Sequence, residues 1–130
     1  ICCLVPGKPG LSDNINGISI VDRYLEHSRV YYFYHGGQDK IFISSSDWMV
    51  RNLHFRIEVA FPVFDPELKK QIMDIIDLQW RDNVKARNIN DGHMNEYIRN
   101  HEEKKLRSQI ETYKYYKSLI KSTDESIKKD

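Results

Sequence analysis

The sequence predicts an α/β domain, and its size, its composition and the order of its segments support this prediction. The chain has 130 residues, of which 40% are hydrophobic and 30% are charged, so it is long enough to bury a core. Short β-branched and aromatic runs alternate with segments of helical periodicity, and no internal repeat is visible. Elements that alternate in this way usually form layers of sheet and helix.

Six segments are rich in β-branched or aromatic residues, which favour strands. They are residues 1–5, 18–21, 29–34, 40–44, 56–63 and 84–89. The first is followed by a loop of proline and glycine at residues 6–10. The third and fourth are separated by five residues that include Gly36 and Gly37, which adopt positive φ without strain. We therefore expect a hairpin there.

Two segments predict long helices. Asp65-Pro66-Glu67 combines an N-cap residue, a first-turn proline and an early acid, and apolar residues follow at helical spacing. Residues 102–121 carry apolar side chains three and four positions apart, which predicts a C-terminal helix. We expect the domain to span residues 1–121 and residues 122–130 to form a polar tail that frays.

Charge and cysteine content exclude several classes of protein. The formal net charge of +1 gives no overall case for binding nucleic acid or membranes. Cys2 and Cys3 are adjacent, a poor geometry for pairing, and no other cysteine is present. No run is long enough to span a membrane. We expect a cytoplasmic protein, with association at the inner-membrane surface left open. Because the chain opens inside an apolar run without an initiator methionine, we expect it to derive from a larger protein.

A candidate anion site lies around His27. His27 and Arg29 are two positions apart in an extended segment, so their side chains project to the same side. The imidazole can attack or protonate a phosphate while the guanidinium binds its oxygens. Hydroxyl and backbone N–H groups of Ser44-Ser45-Ser46-Asp47 follow the next strand and can bind the same anion. We predict His27 as the catalytic residue. The predicted phosphate-binding residues are His27, Arg29, Ser44, Ser45, Asp47 and Arg56.

The same residues also have structural interpretations. His27 can be a hydrogen-bonded histidine at the entrance of a strand. The two arginines can pair with nearby acids, Glu26 or Glu58. The serines and Asp47 can end the hairpin and cap a short helix over residues 47–53. The other four histidines lack metal-ligand spacing.

The site pattern resembles half of the bipartite motif of the phospholipase D superfamily, H-x-K-x4-D followed by G-S-x-N and a downstream glutamate. Arg29 takes the place of the lysine, and Tyr34 stands at the aspartate position. The G-S-x-N step corresponds to residues 44–47, and Glu58 is the downstream acid. These departures are compatible with anion binding but do not favour simple phosphodiester hydrolysis, and they match a narrower family better.

Longer segments resemble the C-terminal domain of bacterial polyphosphate kinase. They are residues 1–4, 18–30, 44–53 and 77–87. The resemblance implies a phospholipase-D-like mixed sheet flanked by helices, with a C-terminal helix and a half-motif at residues 22–52. It also implies reversible transfer of the terminal phosphate of ATP to inorganic polyphosphate. The phosphorylated histidine would belong to an upstream domain, and His27 matches the second histidine.

The resemblance further implies the partners of this chain. They are ATP and ADP, inorganic polyphosphate, upstream domains of the same enzyme and further copies of it in a homo-oligomer, with no nucleic acid and no transmembrane segment. Mg²⁺ is the expected cofactor. Its ligands are expected outside this chain, so we assign no metal ligand here, and we expect the fragment to be inactive alone.

Two other functions remain open at this point. One is a phospholipase-D-like phosphodiesterase or nuclease, in which a dimer two-fold brings two copies of the half-motif to one phosphate. The other is a non-catalytic module that binds a polyanion without transferring a phosphate.

Overall fold

A computed structural model describes residues 4–89, 95–100 and 104–127, with the backbone alone over 121–127. The predicted α/β class is confirmed. The strands are β1 (Gly17–Ile20), β2 (Val30–Phe33), β3 (Lys40–Ser44), β4 (Ala60–Val63) and β5 (Ala86–Ile89). The helices are α1 (Val50–Phe55), α2 (Pro66–Trp80) and α3 (Ser108–Ile127), with a 3-10 turn at His35–Gly37.

The described residues divide into two compact units. Unit 1 takes its residues from 1–24 and 75–130, and unit 2 consists of residues 25–74. In unit 1, β1 pairs with β5. In unit 2, three strands form a sheet in the order β2-β3-β4. All of these pairings are antiparallel. The strands are distributed over two small sheets instead of one.

The central strand of unit 2 determines the position of its neighbours. Ile41 of β3 is 1% exposed and lies opposite Val63 of β4, which is also buried. The predicted β2-β3 hairpin is confirmed, and its turn includes Gly36 and Gly37 at φ of 66° and 89°. The backbone N–H of Ser44 donates to the carbonyl of Arg29 at 2.9 Å. The end of β3 is thereby fixed beside the start of β2.

The predicted N-terminus of α2 is also confirmed. The Asp65 carboxylate accepts a hydrogen bond from the backbone N–H of Leu68 at 2.9 Å, and Pro66 is the first helical residue. Both features stabilise a helix start, because the first N–H groups have no partner inside the helix. None of the residues of α2 is fully buried, so its apolar face is only partly covered.

A buried carboxylate organises unit 1. Asp82 is 1% exposed, and its Oδ1 accepts from the backbone N–H groups of Val84, Lys85 and Ala86 at 2.6–3.2 Å. Its Oδ2 accepts from the N–H of Ser108 at 2.7 Å. Burial raises the pKa of Asp82, but the hydrogen bonds from these backbone groups outweigh burial, and the pKa lies below its ordinary value. One side chain thus connects the start of β5 with the start of α3.

A long-range ion pair also lies in unit 1. Arg107 donates to both carboxylate oxygens of Asp22, from Nε at 2.8 Å and from Nη2 at 2.5 Å. The hydrogen bond from Arg107 lowers the pKa of Asp22. A bidentate contact of this kind fixes direction as well as distance, so the chain after β1 is held against the residue that precedes α3.

Four predicted boundaries need correction. The first predicted strand lies mostly outside the described residues, and Leu4 and Val5 are not in a strand. The predicted strand at 56–63 begins only at Ala60, because the preceding residues bond to the loop after β3. The short helix is Val50–Phe55, and its N-cap is Met49, without a side-chain cap. The C-terminal helix begins at Ser108, held by Asp82, and its backbone continues to Ile127 through most of the predicted tail.

Few apolar side chains are fully covered. Those that are buried in the described residues are Ile41, Val63 and Ala86, whereas Phe55, Ile57 and Phe64 of unit 2 are each at least 80% exposed. Among the helices that the structure describes, none is long and apolar enough to cross a membrane. The local order of both units therefore depends strongly on hydrogen bonds and ion pairs.

Replacement of Asp82 should loosen unit 1 locally. Asp82→Ala leaves four backbone donors without their acceptor, so amide hydrogen exchange over residues 82–86 and 108–111 should rise about 100-fold. Asp77→Ala, which removes an exposed pair with Arg81, should change exchange little. Because the pKa of Asp82 is lowered in the fold, its contribution is present above pH 3.8 and is lost as pH falls through the lowered value. Equal exchange in the two variants would contradict this role.

Candidate functional site

The predicted site residues of unit 2 come from three segments that the sheet brings together. His27 and Arg29 precede β2, residues 44–47 comprise the last residue of β3 and the loop after it, and Glu58 precedes β4. Arg29 Nη2 donates to His27 Nε2 at 2.7 Å, so the two side chains lie on the same side of the chain, as their spacing predicted. The His27 side chain is 64% exposed and is accessible to a ligand.

Arg29 forms an ion pair with Asp47. Its Nε donates to Asp47 Oδ1 at 2.6 Å, and both side chains are about three-quarters covered. This hydrogen bond, donated by Arg29, lowers the pKa of Asp47 and raises the pKa of Arg29. With its pKa lowered, Asp47 remains ionised at neutral pH. The ion pair is lost only as pH falls through that lowered value.

The contact with Arg29 also indicates the tautomer of His27. A guanidinium has only donors, so Nε2 of His27 must accept, and the ring proton is then assigned to Nδ1. The Asp47 Oδ1 atom lies 3.7 Å from the same Nε2, too far for a direct hydrogen bond. In this arrangement the imidazole is neutral and presents a lone pair to Arg29.

Glu58 organises the loop that follows β3. Its carboxylate accepts hydrogen bonds from the Ser45 hydroxyl and from Asn52 Nδ2, the latter at 2.7 Å. These two bonds lower the pKa of Glu58, with Ser45 the larger cause. Val59 N–H donates to Ser45 Oγ at 3.1 Å, and Ser45 N–H donates to the Val59 carbonyl at 3.0 Å. The loop is therefore cross-linked to the segment before β4.

The predicted site residues differ in their exposure and in their bonding partners. Ser44 is buried, and its hydroxyl accepts from the N–H of Ser46 at 3.0 Å, which fits the structural interpretation of a turn. Asp47 pairs with Arg29, and no side chain caps α1. Arg56 is exposed just after α1, and its positive charge helps lower the pKa of Glu58. These positions do not test the predicted binding roles.

Three further residues support the site and were not among those predicted. Trp48 Nε1 donates to Tyr31 OH at 3.0 Å, and that hydroxyl donates to the Ser46 carbonyl at 3.1 Å. The ring centroids of Tyr31 and Trp48 are 5.8 Å apart. Asn52 is 3% exposed and bonds to Glu58. Asn52 could have been found from the sequence, because it lies close to the predicted phosphate-binding residues. No sequence pattern indicated the contact between Tyr31 and Trp48.

The acidic and histidine side chains of the described residues do not form a magnesium site. In the ranges that the structure describes, no group of three His, Cys, Asp or Glu side chains is suited to hold a metal ion. The two carboxylates nearest His27 and Ser45 are occupied by Arg29, Ser45 and Asn52. The residues described here therefore do not fit Mg²⁺.

Comparison with known proteins identifies the family. The family model described as polyphosphate kinase C-terminal domain 2 matches residues 1–109. The chain belongs to this family.

Individual polyphosphate kinases are similar over nearly the whole chain. That of Escherichia coli strain K12 is 52% identical over 119 residues, which cover 92% of this chain and 17% of that protein. That of Vibrio cholerae is 49% identical over 123 residues, 95% of this chain and 18% of that protein. The crystal structure of polyphosphate kinase from Porphyromonas gingivalis matches with a TM-score of 0.90 and 49% identity, covering 94% of this chain and 19% of that one. This match confirms the predicted fold. The chain spans less than a fifth of each of these proteins.

Removal of Glu58 should release the loop after β3 while leaving the hairpin folded. In Glu58→Ala, Ser45 and Asn52 lose a shared acceptor, so hydrogen exchange should rise in peptides that cover residues 45–48 and 57–60. Peptides within β2 and β3 should keep their protection, because their ladder bonds do not involve Glu58. Glu67→Ala, at an exposed position in the first turn of α2, is the matched control. Unchanged exchange at residues 45–48 would show that Glu58 does not hold the loop.

Proposed function

We propose that this chain forms one wall of the phosphoryl-transfer site of a polyphosphate kinase, an ATP:polyphosphate phosphotransferase. The reaction is reversible transfer of the terminal phosphate of ATP to inorganic polyphosphate, through a phosphohistidine in an upstream domain. The observation that carries this proposal is the contact of His27 with Arg29 and of Arg29 with Asp47, in a chain of the polyphosphate kinase family.

His27 acts as the acid/base partner of the phosphorylated histidine. An exposed imidazole can take up a proton and donate it to the oxygen of the departing ADP, or hydrogen-bond an oxygen of the transferred phosphate. Proton transfer of this kind accelerates reactions by about 10²–10⁴-fold. The Nε2 lone pair accepts a hydrogen bond from Arg29 Nη2, so the ring can take up that proton once a phosphate oxygen replaces it on Arg29.

Arg29 and Asp47 act together on the phosphate. Phosphoryl transfer is catalysed mainly by positioning and by stabilisation of negative charge. The Nε of Arg29 is held by Asp47, so the guanidinium has a fixed direction, while its Nη2 is occupied only by an exposed imidazole. A phosphate oxygen can replace that imidazole as acceptor and gain a charge-assisted hydrogen bond.

Ser45 and Arg56 supply further contacts in this proposal. Ser45 is exposed and is held in place by Glu58 and Val59, and Arg56 is an exposed cation on the adjacent segment. Ser44 contributes through the turn that its buried hydroxyl closes. The supporting observation is that hydrogen bonds fix Ser44 and Ser45 at the end of β3, while Arg56 lies close enough to Glu58 to help lower the pKa of Glu58.

We extend the proposal to the cofactor and partners of the intact enzyme. Mg²⁺ accompanies the nucleotide and neutralises phosphate charge, and its ligands lie outside this chain. The nucleotide is ATP or ADP, and the upstream domains provide the other half of the site. The enzyme is a homo-oligomer of the cytoplasm. No step proposed for His27 or Arg29 depends on the metal.

The alternatives are not favoured. A dimeric phosphodiesterase or nuclease and a non-catalytic polyanion-binding module would both use the same half-motif. The matching relatives are named polyphosphate kinases, and this family membership supports phosphoryl transfer to polyphosphate over diester hydrolysis or simple binding.

In the intact kinase, His27→Ala should lower polyphosphate synthesis at saturating ATP by at least about 10². The loss has its origin in the missing proton transfer and the missing phosphate contact. Because His27 is mostly exposed, thermal unfolding should be almost unchanged. His35→Ala, at an exposed histidine in the hairpin turn, should retain full activity. Wild-type rates for His27→Ala would exclude the catalytic assignment.

Phosphate labelling separates the two histidine roles. After incubation with ATP labelled in its terminal phosphate, peptide mapping should find the acid-labile phosphate outside residues 25–30. His27→Ala should still permit some labelling, because the nucleophile is elsewhere. A phosphohistidine at His27 would reverse the assignment of the two halves of the site.

The 130-residue chain alone should not make polyphosphate from ATP and Mg²⁺. Its half of the site lacks the proposed nucleophile, so mixing the chain with substrates should leave the ATP concentration unchanged. Addition of the missing upstream part in a separate chain is the positive control. Sustained synthesis by the 130-residue chain would refute the two-domain site.

A further inference from the structure

A cleft in unit 1 carries a concentration of positive charge that the site around His27 does not use. Its volume is about 370 Å³, within the usual range for ligand sites. The residues that line it are Leu78, Arg81, Asn83, Lys104, Lys105, Leu106 and Glu111. Three of these are cations and one is an acid, so the lining has a net positive charge.

The segment that carries the two lysines is held rigidly by Asn83. Asn83 is 8% exposed, and its side chain and backbone N–H bond to the segment that carries the lysines. Its Nδ2 donates to the Lys104 carbonyl at 3.2 Å, and its Oδ1 accepts from the Leu106 N–H at 2.8 Å. Its backbone N–H donates to the Leu106 carbonyl at 3.1 Å. The lysine backbone is thereby fixed at both sides of Lys105.

Two acids at or beside the cleft, within the described part of the chain, already have partners. Asp77 pairs with Arg81 at 2.9 Å, and Glu111 pairs with Lys114 at 2.7 Å. Within the ranges that the structure describes, Lys104 and Lys105 form no ion pair, and both are exposed. Two ammonium groups are therefore available to an anion on a preorganised segment.

We propose that this cleft is a second binding site for inorganic polyphosphate, which engages a stretch of the chain other than the phosphate that reacts. This inference rests on the proposed function. It assigns Lys104 and Lys105 as the main contacts. Arg81 contributes less, because its charge is partly neutralised by the ion pair with Asp77.

The chemistry of the lining favours a flexible phosphate polymer. Lysine ammonium groups are point charges with three rotatable donors, so they accept phosphate oxygens from many directions. A repeating polyanion can present an oxygen to both lysines without a fixed register. Leu78 and Leu106 form the apolar part of the lining. Among the described residues that line the cleft, none is an aromatic side chain on which a base of RNA could stack.

The test compares binding of end-labelled long-chain polyphosphate by variants of the intact kinase, followed by fluorescence anisotropy. Lys104→Ala/Lys105→Ala should raise the Kd for polyphosphate about tenfold, and the Kd should depend less on salt concentration. The KM for ATP and the labelling of the enzyme by ATP should not change. Lys8→Ala/Lys117→Ala is the matched control, because it removes two exposed lysines of unit 1 that do not line the cleft.

Each outcome of this experiment is decisive. Tenfold weaker binding in the cleft variant with wild-type binding in the control supports the site. Equal weakening in both variants means that only net charge matters, and an unchanged Kd in the cleft variant excludes the site. If unlabelled RNA displaces polyphosphate from the cleft as well as polyphosphate itself does, the assignment to polyphosphate is wrong. Failure of the proposed function is distinguishable, since wild-type enzyme would then not synthesise polyphosphate from ATP.

Discussion

The carboxylate of Asp82 accepts hydrogen bonds from four backbone N–H groups, and this interaction is the one on which unit 1 depends most. A buried charge is costly unless its hydrogen-bonding capacity is filled. Here it is filled by two segments that are far apart in sequence, so it fixes both the entry to β5 and the first turn of α3. The side chain of Asn83, the next residue, likewise bonds to backbone groups that are distant in sequence, those of Lys104 and Leu106.

Unit 2 uses the same principle at the candidate site. The antiparallel register of β2 and β3 brings the segment before one strand beside the loop after the other, and Arg29 and Asp47 pair across that junction. Glu58 then fixes the loop through Ser45 and Asn52. Since the fully buried apolar residues described in this unit are only Ile41 and Val63, these charged contacts contribute much of the precision with which the site is positioned.

The sequence predicted those features that depend on local physics. The hairpin follows from its glycines, the start of α2 follows from Asp65 and Pro66, and the proximity of His27 to Arg29 follows from strand periodicity. The features that depend on long-range partners could not be predicted. The start of α3 depends on Asp82, and the late start of β4 depends on the bonds between Val59 and Ser45. Hydrophobic periodicity indicates which face of a helix or strand is apolar. It does not indicate which distant side chain determines where that helix or strand begins.

The arrangement around Arg29 connects proton transfer to phosphate binding under the proposed function. Arg29 uses Nε for Asp47 and Nη2 for His27, so a phosphate that binds Nη2 must displace the imidazole. The released imidazole then has a new anionic acceptor beside it, and a protonated ring can donate to that acceptor, whereas it cannot donate to Arg29. Displacement by the phosphate therefore frees the Nε2 lone pair of His27, and after the ring takes up a proton from solvent, His27 becomes a donor instead of an acceptor. Asp47 keeps the guanidinium in place throughout, because its own contact is made through a different nitrogen.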